Sequence, residues 1–201
     1  MTKKLYSRII LATGILIIIT LVMVSYVYLS RNDNDQASIN DDLVAMNEFQ
    51  LADPNSGTSA KGTIFVMDYG DSFDVRIVAQ IHVGVDDFGG VSFYSKHELE
   101  PNDVLCSYRG DTSDEYVLVT KNVSKYREFS SCVTIARDYE CRPSGGGDGT
   151  VIICFKSTEP LSLDNTDLLQ FKIGVGSETT EDGIKVFGPT FETISVTLIE
   201  K

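Results

Sequence analysis

The residues of this 201-residue chain best suited to chemistry are its four cysteines. Three of them fall in one stretch, "SSCVTIARDYECRPSGGGDGTVIICF", as Cys132, Cys141 and Cys154, and Cys106 lies upstream. Three kinds of chemistry are open to such a set. A zinc site takes cysteine pairs two to four residues apart, or histidines close by. The gaps between positions 132, 141 and 154 are much wider, and His82 and His97 are distant in sequence, so no metal is expected. A thiol nucleophile needs a base and a charge partner, and the order His82, Cys132, Arg137 supplies those residue types. Covalent staples are the third use. The cysteines are even in number, and disulfides persist outside the cell.

The staple reading carries a geometric expectation. If residues 132–137 and 150–155 are two strands of a hairpin folded near Pro143, Cys132 and Cys154 stand directly opposite each other. Cross-strand Cβ atoms lie about 4.5 to 5.5 Å apart, slightly beyond the separation of about 3.5 to 4.5 Å that a disulfide needs. Cys106 and Cys141 are then the remaining pair among the three connectivities that four cysteines allow.

Other stretches carry less. "SGGGDGT" lacks the Lys-Ser/Thr that a phosphate-binding loop requires, and a strand rather than a helix follows it, so it reads as a hairpin connection. "DTSDE" and "LDNTD" offer the oxygen ligands calcium takes, without the spacing of a calcium loop. Asn122-Val123-Ser124 is an N-glycosylation sequon. No Ser-His-Asp order and no pair of catalytic carboxylates stands out. Neither a catalytic residue nor a cofactor is assigned.

The elements that position these residues begin with an anchor. Residues 9–29, "IILATGILIIITLVMVSYVYL", contain no charge, and about 20 apolar residues at 1.5 Å each cross a hydrocarbon core as one helix. The run is longer than the core of a cleaved signal peptide, and "VSYVYLSR" offers no small-residue cleavage site. Lys3, Lys4 and Arg8 precede the span and only Arg31 follows closely, which puts the N-terminus inside and the rest of the chain outside the cell membrane. All 29 acidic residues lie beyond the span with 14 of the 17 basic ones, a net charge of −15 there. That balance disfavours nucleic acid and anionic lipid, whose recognition uses basic patches.

Four segments follow: a short cytoplasmic tail at 1–8, the signal-anchor helix at 9–29, a polar linker at 30–61 and a β domain at 62–201. "DDLVAMNEFQL" inside the linker reads as a short helix or a first edge strand. "FDVRIVAQIHV" alternates with period two, the pattern of a strand with one face on a core and the other in water. "FGG" reads as the turn after it, and "VSFYS" as the return. Further strands are expected at 104–108, 116–120, 132–137, 150–155, 168–175, 184–187 and 191–199, with Gly, Asp, Asn and Pro between them and no helical period. "VIICF" is apolar on both faces and belongs inside a sheet. The fold class expected is all-β: an antiparallel sandwich, jelly-roll or immunoglobulin-like, outside the membrane.

A long alternating strand, a Gly-Gly turn, "VSFY", "LEPNDVL" and a later "DLLQFKIGV" resemble the cohesin pattern over residues 62–200. The matching positions are Gly90 with Phe93, Leu99 with Val104 and Leu105, and Leu169 with Phe171, Ile173 and Val175. Cohesins are nine-stranded jelly-roll sandwiches related to carbohydrate-binding modules, and the resemblance implies docking of a partner on a flat sheet face. Cys132 and Arg137 behind an N-terminal anchor also resemble the sortases, which implies a cysteine transpeptidase. Sortases carry "TLxTC", however, where this chain has "REFSSC". The expectation is a non-catalytic binding or structural module anchored in the membrane, with a protein or a glycan as its partner. Two alternatives accompany it, a sortase-like enzyme and a subunit of a surface filament or envelope assembly.

Overall fold

The computed structural model describes residues 43–96, 99–110, 115–121, 128–129, 131–157, 160, 169–181 and 184–198. The span at 9–29, Asn122, His97, most of "DTSDE" and all of "LDNTD" lie outside the described residues. Among the described residues no helix is long and apolar enough to cross a membrane. The chain divides at Asp42, and the described residues of the unit that follows, Leu43–Lys201, form β-strands and no α-helix.

Its strands are β1 (Leu43–Ala52), β2 (Ser59–Asp68), β3 (Phe73–Val83), β4 (Val91–Ser95), β5 (Glu100–Cys106), β6 (Val117–Thr120), β7 (Ser131–Ile135), β8 (Gly147–Ser157), β9 (Gln170–Val175), β10 (Glu178–Glu181), β11 (Ile184–Phe187) and β12 (Thr190–Ser195). A front sheet runs β1-β2-β3-β8-β5 and a back sheet β12-β9-β4-β7-β6, each antiparallel throughout, with β10-β11 a separate ribbon. The inward residues of both sheets form one core, so the fold is sandwich-like. Aromatic pairs join the two layers, Phe155 with Phe171 at 5.6 Å and Phe49 with Phe93 at 6.4 Å between ring centroids.

The period-two pattern of β3 is realised residue by residue. Phe73, Val75, Ile77, Ala79, Ile81 and Val83 are all buried, while Arg76, Gln80 and His82 face water. β8 lies between β3 and β5, with Val151, Ile153 and Phe155 of "VIICF" in the core and the outward Ile152 and Cys154 half-buried. β5 starts at Glu100 and takes Pro101 into the strand. That is possible because β5 is an edge strand and the ladder shifts register between Pro101 and Asp103.

Three expectations need correction. Residues 43–61 are not linker: β1 is the edge of the front sheet, the edge-strand alternative for "DDLVAMNEFQL", and Asp53 is buried at 2 % exposure. Its carboxylate accepts from the Asn55 and Ser56 backbone N–H groups at 3.2 and 3.1 Å and from the Ser56 hydroxyl at 2.6 Å, closing the β1–β2 turn. Turn-forming residue types had suggested solvent, and Pro54, Asn55 and Gly57 are exposed, but Asp53 and Thr58 fold inward. Second, β4 does not return beside β3. It sits in the back sheet, and "FGG" is a crossing between layers. Asp87 fixes that crossing. It accepts from Thr58 Oγ1 at 2.6 Å, from the Gly89 and Gly90 backbone N–H groups at 3.1 and 3.0 Å, and from Ser177 Oγ. Gly90 has φ +62°, and a Cβ there would lie 1.9 Å from the Ile135 carbonyl oxygen, so only glycine fits.

Third, β7 and β8 form no hairpin. β7 pairs with β4 and β6 in the back sheet, β8 with β3 and β5 in the front sheet. The Gly-rich stretch is therefore another crossing. Arg109 donates to the carbonyls of Ser144 and, at 3.0 Å, Gly146, and the Tyr108 hydroxyl donates to Gly146 at 3.2 Å. The Arg109 guanidinium lies 5.7 and 5.5 Å from the Tyr108 and Tyr116 rings, which hold it in place.

Candidate binding surfaces

The cysteines are distributed by this topology. Cys132 on β7 alternates with the core residues Val133 and Ile135 and points out from the back sheet. Cys154 on β8 alternates with Ile153 and Phe155 and points out from the front sheet. The two thiols stand on opposite outer faces with the core between them, so the expected Cys132–Cys154 bridge loses its geometric basis along with the hairpin. Cys106 turns inward against the core, and Cys141 is exposed on the β7–β8 crossing. All four are thiols in this structure.

The same layering separates the sortase-like residues. His82 stands on the outer face of the front sheet, its Nδ1 2.8 Å from Asp148 Oδ1, and Cys132 on the other side of the sandwich. Both members of the His82–Asp148 pair are more than half exposed, where an ion pair contributes little. Cys132 and Arg137 do share a face. Burial pushes the Cys132 thiol up, and Thr134, Tyr94 and Arg137 only partly offset it. A nucleophile needs the opposite shift. Among the described residues no group of three or more His, Cys, Asp or Glu could hold a metal ion.

Two surfaces remain that sequence reading did not single out. The first crosses the outer face of the front sheet. A depression of ≈ 550 Å³ between β1, β2, β3 and β8 adjoins a second of ≈ 260 Å³, and Gln50, Lys61 and Gln80 line both. Glu48, Thr63 and Thr150 extend the first, and Ser59, His82 and Asp148 the second. The lining is rich in amides and hydroxyls, with charges of both signs. The second surface is the outer face of the back sheet. Phe191 is 41 % exposed and its ring covers Gly174, where a Cβ would lie 2.5 Å from the ring. Tyr94 meets Phe191 edge to face at 6.1 Å, and Lys172 Nζ sits 4.2 Å from the Phe191 centroid. Burial, with Cys132 alongside, raises the Tyr94 phenol above its usual value. One signal for this face was present in the sequence. A glycine inside a strand marks a close approach, and Gly174 interrupts "FKIGV" at an outward position.

These faces belong to an all-β protein of two packed antiparallel sheets. No protein-family model matches the chain, and no match is found among the curated proteins or the solved structures.

Proposed function

We propose that the chain is a membrane-anchored, extracytoplasmic module that recognises a protein or glycan partner at the cell surface without catalysing a reaction. The observation that carries this reading is the polar furrow on the front sheet. Its size falls in the range of ligand sites, the Gln50 and Gln80 amides can both donate and accept hydrogen bonds, and the Lys61 ammonium can donate. The separation of His82 from Cys132 weighs for binding over transpeptidation. A jelly-roll, cohesin-like assignment is part of the proposal. It is supported by the alternation of strands between layers from β3 through β9, where only β6 and β7 follow each other in one sheet.

Photo-crosslinking on intact cells tests it. A photoreactive residue at Gln80 is expected to give a discrete adduct that the same group at exposed Tyr69 does not give. Sensitivity of that adduct to protease or to glycosidase then tells a protein partner from a glycan. A Gln80 pattern indistinguishable from the Tyr69 control would refute binding at the furrow.

A further inference from the structure

We infer that the outer face of the back sheet is a second binding surface, for an acidic polysaccharide whose sugar rings carry carboxylates, such as a uronate polymer. The first observation is charge. The chain has a formal charge of −12, yet none of the outward strand positions of the back sheet is Asp or Glu. The charge on those positions is Lys172, and Arg137 stands two residues past the end of β7 on the same side. Three of the described acids near the rim are engaged. Asp138 and Glu140 lie against Arg142 at 3.1 and 3.2 Å, and Glu128 against Lys96 at 3.2 Å. Glu192 on β12 pairs in register with the core residue Ile173 but is exposed, because β12 is the edge of the sheet.

The second observation is the aromatic platform. Phe191 meets Gly174 along the Cδ1–Cε1 edge of its ring and is partly open to solvent, with Tyr94 edge to face against it. The C–H face of a sugar packs on such a ring as any apolar surface does. Lys172, 4.2 Å from the ring centroid, is placed to meet a carboxylate on that same sugar. A nucleic acid would ask for a longer row of cations along its phosphates, and poly-glutamate, an acidic peptide without aromatic side chains, has no ring for the platform. The chain's overall negative charge opposes any polyanion at long range. At physiological salt that field is screened beyond about 8 Å, and the local pair dominates.

The test uses the full chain in detergent micelles at physiological salt, passed over immobilised polygalacturonate, dextran and poly-glutamate. Retention is expected on polygalacturonate, with none on dextran and less on poly-glutamate. Phe191→Ala and Lys172→Gln should each weaken retention about threefold to tenfold, the range for one ring or one cation contact. Lys172→Arg should keep it. Gln80→Ala, in the front furrow, should leave it unchanged, so this inference and the proposed function fail separately. Absence of retention on polygalacturonate overturns the inference. So does equal retention on poly-glutamate, or an unaltered Phe191→Ala variant whose thermal unfolding matches the parent.

Discussion

Cys132 shows how a residue's role is set by its layer and not by its neighbours in sequence. Its half-buried position holds the thiol protonated, whereas Cys141 is exposed on a crossing. Alkylation with iodoacetamide at pH 7.5, followed by peptide mass spectrometry, should label Cys141 well before Cys132. Equal rates would contradict the burial of Cys132. The sign of its pH linkage follows. An acid whose folded pKa is raised keeps its proton when the unfolded chain has lost it, so stability is complete below the unfolded thiol value of about 8.5. It falls as pH rises from there towards the folded value. A Cys132→Ser variant should flatten that alkaline loss of stability. Asp87 is the opposite kind of buried residue, a satisfied anion with four donors. Replacing it by alanine leaves two glycine N–H groups and two hydroxyls without their acceptor, and should cost about 2 to 4 kcal/mol in urea unfolding. Neither role was legible beforehand. "DDFGG" reads as a turn, and nothing local says which of its two aspartates turns inward.

At the scale of the element, period-two alternation was a good guide to faces and a poor one to partners. It placed every inward residue of β3 correctly, because a strand's two sides differ in what they meet. It could not say that β3 is flanked by β2 and β8, since a strand's hydrophobic pattern is the same whichever strand it pairs with. The short spacing of 132–137 and 150–155 therefore suggested a hairpin, while the chain crosses between layers instead. β1 was left open between a short helix and an edge strand for a different reason. Its inward positions include Ala45 and Asn47, so its apolar stripe is thin, and Asn47 reaches the Ser195 carbonyl of the other sheet at 3.4 Å. Gly174 offers a test at this scale. Gly174→Ala should lift the Phe191 ring off β9, raising Phe191 exposure and weakening the back-sheet surface more than it weakens the fold. Hydrogen exchange on β9 and β12, compared with polygalacturonate retention, separates the two effects.

For the whole molecule, the sequence supplied the all-β class and the sign of the charge, and the two-sheet architecture agrees with the first. The location of both candidate surfaces was not readable, because each is assembled from strands far apart in the chain. Topology across the membrane remains a prediction from the basic residues before the span. Protease added to intact cells should remove residues beyond 43 and spare a tag at the N-terminus, and protection of both ends would refute it. The strand order also has a bearing on how the chain emerges. β1, β2 and β3 pair in succession as they appear, but the second edge of β3 waits for β8, its partner from Phe73↔Ser157 to Val83↔Gly147. At roughly 5 to 20 residues per second, the delay lasts on the order of seconds. During it an eleven-residue strand rich in valine and isoleucine has an open side. The charges at Asp74 and Arg76 are then its guard against pairing with another nascent copy.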